Sequence, residues 1–569
     1  AVISLIAVGL ILGSIVLFFR SFAALFQIGF CVFVGTGLSF AVAMFAFGRL
    51  NTATSFLGAI IAGNGINYGI IYLSRYRELR ATGLSRDDAL VQSALSSRKG
   101  TWLAAIAAGG AYGALLLTSF RGFSEFGLIG GVGMIFCWIA TFTTLPALVT
   151  LVEKVSGDSA SSFRPTIPLP LASVGRFVQR RRLVILGLFF ILTAIAVIPL
   201  PNYLSDPWEY NFSKLGSSSS KKRGAGHWSR KANKLYQTRG SPMLILADDM
   251  SGTSDLRKRL READKRITGG KYLERIETID DRLGGPPAVV EDKLIRLAKI
   301  RKNIDKVLPR LRGEDLEIVK DWRPPEYLRP LAPEDLPELV RAQFTEKDGT
   351  VGSPVYVYLN RGLSQSNGHN LLRIADIFES VRLPSGEIAP NASRSTVFAA
   401  MIRAMERDGP YSTLMAFLVV VGITLLVARR FLTSASIILS LVCGVLLTVG
   451  GAAWLDVRLN FLNFVALPLT FGIGVEYAIN LYERIVKRDS VPEGLSSIGG
   501  PVALCSLTTI IGYGALTLAD NMALQSFGRY AMAGELACIV TALLVMPAFI
   551  SLRGGYTGQG SSFSKPNAG

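Results

Sequence analysis

Disulfide chemistry is closed to this chain. Its five cysteines, Cys31, Cys137, Cys443, Cys505 and Cys538, all fall in apolar runs, and the polar stretch from Pro201 to Pro410 has none. Neither a disulfide framework nor a thiolate metal cluster is available there, and packing is the expected role of each cysteine. Histidine is nearly absent: His227 and His369 are far apart and form no metal motif. There is no Walker-type phosphate loop and no HExxH helix, so neither ATP hydrolysis nor zinc chemistry is indicated, and no cofactor or enzymatic activity is expected. Acidic residues are scarce over most of the length. Of 42 Asp and Glu, 29 lie between Pro201 and Pro410, which leaves 13 for the remaining three fifths. With half of its residues hydrophobic and only 18% charged, the chain cannot be an ordinary soluble protein.

What is present is a series of apolar runs. Eleven runs approach the roughly 20 residues that cross a bilayer, near 1–19, 22–47, 53–74, 101–119, 124–152, 183–200, 411–428, 432–455, 461–482, 499–519 and 525–552. Cations alternate between them. One set of connections holds Arg20, the loop Arg75 to Lys99, the loop Lys154 to Arg182, the pair Arg429 and Arg430, the group Arg484, Lys487 and Arg488, and the tail with Arg553 and Lys565. The other set holds only Arg49, Arg121, Arg458 and Arg529. The positive-inside rule makes the first set cytoplasmic and puts the polar stretch on the outer side. The net charge of +18 thus reads as topology, not as a nucleic-acid footprint.

The chain is also internally duplicated. GRLNTATSFLGAIIAGNGINYGIIYLSRY from Gly48 aligns without gaps to VRLNFLNFVALPLTFGIGVEYAINLYERI from Val457, an offset of 409. Further on, Tyr112 aligns to Tyr513 and Pro146 to Pro547 at an offset of 401. The two repeats therefore share one orientation and differ by eight residues in a cytoplasmic connection. The second repeat reads as one span, an outer domain and five spans, whereas the first shows five spans alone. With no initiator Met, signal peptide or flanking charge at Ala1, the chain reads as a fragment. A first span and a first outer domain are expected to precede it, giving twelve spans in full length.

Glu476 and Glu535 are the two acids that fall at bilayer depth. Glu476 lies in FGIGVEYAINLYERI, where a bare carboxylate costs at least a few kcal/mol unless it faces a bundle interior, finds hydrogen bonds or takes up a proton. Asn480 and Glu483 follow on the same helical face, a polar stripe that could carry a proton. The repeat places Asn67, preceded by Asn64, at the Glu476 position, and Tyr68 at the Tyr477 position. Asn cannot titrate, but it can hydrogen-bond Glu476 or Tyr477 if the two spans face each other. Gly63, Gly65, Gly472 and Gly474 permit close helix approach, with a hinge as the alternative. Thr508 and Thr509 could support the stripe or bond back to their own helix. Glu535 aligns to Met134, so it belongs to one half only; it is either a second functional carboxylate or a satisfied interior residue.

Two copies of a Gly-x-Gly-Val/Ile-polar-Tyr element, one in each parallel repeat, with an outer insertion in the second half, resemble the resistance-nodulation-division superfamily. The resemblance is greatest to its MmpL-like branch of lipid exporters, which includes the hopanoid transporters. It implies a secondary transporter of a membrane lipid or other hydrophobic molecule, driven by protons, in a bacterial inner membrane. A homo-oligomer, dimer or trimer, and periplasmic partners are expected with it. In that branch both positions carry Asp followed by Tyr, so the resemblance makes Glu476, Tyr477, Asn67 and Tyr68 the proton-relay positions. Glu for Asp keeps the chemistry, while Asn for Asp removes half of the titratable apparatus. A lipid- or sterol-sensing receptor and an accessory subunit of protein export share the architecture and stand as alternatives.

The expected fold is a polytopic α-helical membrane protein with a parallel internal repeat and one α/β porter-like extracytoplasmic domain. Its parts are a first-repeat bundle at 1–155 (spans 2–6), a cytoplasmic linker at 156–182, span 7 at 183–200, the outer domain at 201–410, a second-repeat bundle at 411–552 (spans 8–12) and a flexible tail at 553–569. Within the outer domain PMLILADD and PVYVYLN read as strands, and LRKRLREADKRI and NLLRIADIFESVR as amphipathic helices. The apolar residues of the segment Pro287 to Leu311 recur at nearly heptad spacing, so it is expected to pack on the Pro-rich segment Pro324 to Phe344. The run SSSSKKRGAG reads as a solvated loop, with contact to anionic headgroups as the lesser alternative.

Overall fold

A computed structural model describes residues 2–50, 57–156, 169–235, 242–427 and 431–552. Ala1, the start of the third apolar run, Arg429 and Arg430, the middle of the 156–182 linker and the tail with Arg553 and Lys565 lie outside the described residues. The chain divides into two compact units: Ala1–Glu209 with Lys214–Ser219 and Arg403–Gly569, and Tyr210–Ser213 with Ser220–Ile402.

The first unit is helical. Its elements are α1 (Val2–Phe19), α2 (Phe22–Phe47), α3 (Leu57–Ala81), α4 (Arg86–Gly113), α5 (Arg121–Ser156), α6 (Leu171–Arg180), α7 (Arg182–Val197) and the short α8 (Leu200–Ser205). Among the described residues, nine helices of the chain are long and apolar enough to cross a membrane, and two shorter apolar helices, Gly9–Phe19 and Arg182–Val197, match the first and sixth expected runs. The protein is a multi-pass membrane protein. The sixth run breaks at Pro199 and Pro201, which remove backbone donors and start a new helix, α8.

The second unit carries α9 (Ser218–Lys222) at its border, then α10 (Ala225–Leu235), α11 (Thr253–Thr268), α12 (Pro287–Val307), α13 (Glu314–Asp321), α14 (Glu338–Arg341) and α15 (Gly368–Glu379). Four antiparallel strands, β1 (Met243–Leu246), β2 (Leu273–Glu277), β3 (Pro354–Leu359) and β4 (Asn391–Ala392), form a sheet in the order β2-β3-β1-β4. Register pairs Met243 with Val357 and Ile245 with Val355. Alternate residues of β1 and β3 enter a core with Leu256 and Leu260 of α11 and Ile374 and Phe378 of α15. Each such buried side chain contributes about 1.5–3 kcal/mol. The four segments read as strands or amphipathic helices all contain the element expected of them.

Helix α12 half-buries its apolar stripe at Val290, Leu294, Leu297 and Ile304, and ion pairs tie it to the following segment, Arg301 to Glu326 at 3.1 Å and Asp305 to Arg323 at 2.6 Å. The segment Pro324 to Phe344 forms only short turns of helix. Its five prolines, Pro324, Pro325, Pro330, Pro333 and Pro337, interrupt any longer helical ladder. The SSSSKKRGAG run is not a plain loop. Asp520 accepts from the Ser219 amide at 2.8 Å and from the hydroxyls of Ser217, Ser218 and Ser219. A carboxylate at the first turn satisfies orphan donors and opposes the helix dipole, so α9 forms.

The remaining helices are α16 (Arg394–Val427), α17 (Phe431–Trp454), α18 (Asn463–Arg488), α19 (Val491–Leu516) and α20 (Met522–Ser551). The duplication is visible in their packing. A methyl group on Gly35 of α2 would lie 2.5 Å from the Cys137 backbone in α5, and one on Gly65 of α3 would lie 2.6 Å from the Cys137 sulfur. At the corresponding positions, Gly444 of α17 and Gly474 of α18 close on Cys538 of α20, at 3.1 and 2.7 Å. Each cysteine is thus a small apolar plug at a three-helix junction that glycine makes possible. Contacts also cross between repeats, α3 packing on α19 and α18 on α4.

The eight-residue difference between repeats is not a loop deletion. Ser85 caps α4, accepting from the Asp88 amide at 3.2 Å, and Ser490 caps α19, accepting from Glu493 at 3.4 Å. Compared with α18 and α19, α3 runs two residues longer, the connection is two residues longer and α4 begins four residues earlier. The helices simply project beyond the apolar run, because the polar residues there are good helix formers.

Ser119, at the repeat position of Asp520, is itself held by a carboxylate: Asp408 of α16 accepts from its amide at 2.7 Å and its hydroxyl at 2.6 Å. The serine hydroxyls around Asp520 hold its carboxyl well below the usual carboxylate range. A depressed carboxyl contributes its stability above the unfolded value and loses it only as pH falls through the lowered folded value. The Asp520 cap should therefore persist at pH 4. In Asp520→Ala the Ser219 amide should exchange faster at pH 7; unchanged exchange of that amide would show that the cap carries no stability.

Candidate functional site

The site is built where α3, α18, α19 and α20 meet. Helix α18 is buried along most of its length, and Glu476 at its centre is fully buried. The same is true of Asn67 on α3, and Asn67 and Glu535 are electrostatic neighbours of Glu476. The expected pairing of the two repeat positions across the bundle is therefore what the helix packing produces. Among the described residues, Asn67 is the side chain that stands against Glu476 as a hydrogen-bonding neighbour, short of ideal geometry.

The tyrosines differ between repeats. The Tyr477 hydroxyl donates to Oε1 of Glu535 on α20, not to the neighbouring Glu476. Tyr68 lies in the field of Glu476, but its hydroxyl has no partner within bonding distance among the described residues. The reason is the sequence difference in the last helix: where the second repeat has Glu535 the first has Met134, which offers a tyrosine no comparable acceptor.

The other expected residues have definite places. Asn480 donates its side-chain amide to the Glu476 carbonyl at 3.0 Å, so it is tied to its own helix. Glu483 pairs with Lys99 at 3.3 Å and Lys487 at 3.6 Å, which ends the stripe in exposed cations. Thr508 bonds back to the Cys505 carbonyl at 2.8 Å, whereas the neighbouring Thr509 hydroxyl is buried and unbonded. Gly472 lets α18 approach α4: a methyl group there would lie 2.7 Å from the Ala108 Cα. Its counterpart Gly63 has nothing within 4 Å.

Other members of the site were not singled out from sequence. Cys505 of α19 donates to the Asn67 carbonyl at 3.8 Å, and Ser506 faces Glu535. Asn64 donates to the Tyr112 hydroxyl at 3.4 Å and also faces Tyr513. Tyr112 and Tyr513 occupy equivalent repeat positions, and that pairing was the available signal. Cys505 and Ser506 gave none, because which face of α19 meets α3 and α20 depends on helix rotation.

Several polar atoms at this junction lack a well-formed hydrogen bond among the described residues, as do the Ser74 and Tyr530 hydroxyls elsewhere in the bundle. Elsewhere Thr101, Thr141, Thr470 and Thr541 bond to carbonyls of their own helices at 2.8–3.0 Å. Buried carboxylates elsewhere have cations: Glu125 pairs with Arg121, and Glu153 lies 3.7 Å from Arg80. The junction brings together two carboxyl groups, phenols and an amide, with no ion pair to either carboxyl among the described residues.

The sequence matches the MMPL family over residues 1–184 and 288–562. It is 24% identical over 92% of its length to the hopanoid transporter HpnN of Rhodopseudomonas palustris, and 25% identical over 91% to HpnN of Burkholderia multivorans. The chain spans 64% and 63% of those relatives' lengths. Among solved structures it resembles SecDF, a translocon-associated membrane protein from Thermus thermophilus, with a TM-score of 0.56 at 14% identity, covering 96% of this chain and 61% of that one.

The two glycines at equivalent positions give a direct check on the packing. Gly472→Ala should destabilise the protein by about 1–3 kcal/mol through overpacking against α4, and Gly63→Ala should change stability by less than about 0.5 kcal/mol. Thermal unfolding in detergent distinguishes them; equal midpoints would mean that α18 and α4 do not approach as described.

Proposed function

The chain belongs to the MMPL family, and we propose that it is part of a secondary transporter that moves a membrane lipid or similar hydrophobic molecule outward, driven by protons at Glu476. The observation that carries the reading is Glu476 itself, a fully buried carboxylate with no ion pair among the described residues, beside an amide that can serve either protonation state. Asn67 presents both a donor and an acceptor, so it can face an ionised or a protonated carboxyl group. Proton uptake removes a charge from the apolar junction of α3, α18, α19 and α20 and changes which helix contacts are favourable there. One charge crossing the membrane supplies roughly 2.3 kcal/mol per 100 mV, enough to bias two helix arrangements of similar energy.

The relatives named for hopanoid transport support a polycyclic lipid as the substrate class. In this reading the protein sits in the bacterial inner membrane, with the unit Tyr210–Ser213 and Ser220–Ile402 on the periplasmic side. That side follows from the distribution of cations, with Lys99 and Lys487 at the cytoplasmic end of the stripe that descends from Glu476. The likeness to SecDF is one of fold, and no residue of the site favours an accessory role in protein export.

The test uses the full-length protein in lipid vesicles with an imposed proton gradient and a fluorescent hopanoid analogue. Glu476→Gln should lower gradient-driven movement of the analogue to the background of empty vesicles while the protein remains monodisperse. Asn67→Asp should be tolerated and should alter the pH dependence. Wild-type transport rates in Glu476→Gln would sink the proton-driven reading.

A further inference from the structure

The site holds a carboxylate that the relay assigned to Glu476, Tyr477, Asn67 and Tyr68 does not require. Glu535 is buried in α20, accepts a hydrogen bond from Tyr477 and takes part in no ion pair among the described residues. Its position is occupied by Met134 in the first repeat, so duplication of the fold does not explain it. Its surroundings do not neutralise it. From α18 it is faced by Tyr477 and Glu476, and from α19 by Cys505, Ser506 and Tyr513. Cys538 lies beside it on its own helix, and α17, packed against α20, contains no charged residue.

We propose that Glu535 is a second proton-binding site of the membrane bundle, and that it supplies, from the last helix, the titratable acid that Asn67 does not provide. Two carboxyl groups coupled in an apolar junction without a cation resist carrying two negative charges together, so at least one proton stays with the pair. Tyr477 is the positioning residue. Its hydroxyl is fixed on Glu535, which leaves Asn67 and Tyr68 to face Glu476. In this arrangement both titratable acids belong to the second repeat, and the first repeat contributes neutral polar partners. Proton binding here forms one O–H bond on the Glu535 carboxylate and breaks one in a hydronium ion, which becomes water.

The inference rests on the proton-driven reading of Glu476, but its test does not require transport. Infrared difference spectra between acid and alkaline pH, recorded on the full-length protein in lipid vesicles, report protonated carboxyl groups by their C=O stretch. Wild type should show two buried carboxyl components. Glu476→Gln should lose one, Glu535→Gln the other, and the double variant both. Tyr477→Phe should move the Glu535 component and leave the Glu476 component intensity unchanged. If Glu535→Gln does not remain monodisperse, Glu535→Asp, which keeps the acid on a shorter arm, should retain a displaced component, and Tyr477→Phe decides the assignment.

A Glu535→Gln spectrum identical to wild type would overturn the proposal, as would a Tyr477→Phe spectrum with no moved component. Loss of the Glu535 component together with normal transport in Glu476→Gln would instead retire the transport reading and keep the second site.

Discussion

Placing a carboxyl group in the middle of an apolar helix bundle is energetically costly, and the membrane half of this protein is organised around that cost. Glu476 sits at the centre of the most buried helix. Ionised, it needs hydrogen-bond donors; neutral, it needs acceptors; and among the described residues no arginine or lysine pairs with it as arginines do with Glu125 and Glu153. The groups near it that can both donate and accept are the Asn67 amide and the Tyr68 phenol, while the Tyr477 hydroxyl is bonded to Glu535. Groups of that kind stabilise either state without committing to one, which a fixed cation cannot do.

The duplicated scaffold and the unduplicated chemistry are separate layers of the same structure. Cys137 and Cys538 fill equivalent junctions, each closed by two glycines, and the prolines Pro146 and Pro547 lie inside equivalent helices. Steric fit is therefore shared by both repeats. Polar function is not: Glu476 stands opposite Asn67, Glu535 has Met134 as its counterpart, and Gly472 is pressed on Ala108 while Gly63 is not. A two-fold scaffold can lose symmetry at its polar positions with little effect on packing, since Asn and Glu are similar in size while only one titrates.

Outside the bundle, carboxylates act as caps and not as charges awaiting protons. Asp520 gathers three serine hydroxyls and a backbone amide, and Asp408 holds Ser119, so that equivalent outer connections of the two repeats are both pinned by a carboxylate, once contributed by the loop and once received by it. Solvent-exposed donors of this kind keep a carboxyl ionised.

Several features were legible in the order of residues alone. Apolar runs predicted the spans, repeated residues predicted the duplication, and the scarcity of acids isolated Glu476, because the bilayer excludes charge strongly enough that one exception stands out. Local periodicity also found the strands at Met243 and Pro354 and the helix that follows each, α11 and α15. It marked the stripe of α12 that is half-buried, at Val290, Leu294, Leu297 and Ile304, although periodicity records a face and not the partner that covers it. The bonding partner of Tyr477 could not be read either. Tyr477 and Glu535 are neighbours only because α18 and α20 cross at a particular rotation, and that rotation is fixed by the sum of many contacts, with Gly474 against Cys538 among the tightest. Sequence determined which residues are too polar for their surroundings; tertiary structure decided which of them face one another, because hydrogen bonds depend on distances of a few tenths of an ångström that no one-dimensional pattern contains.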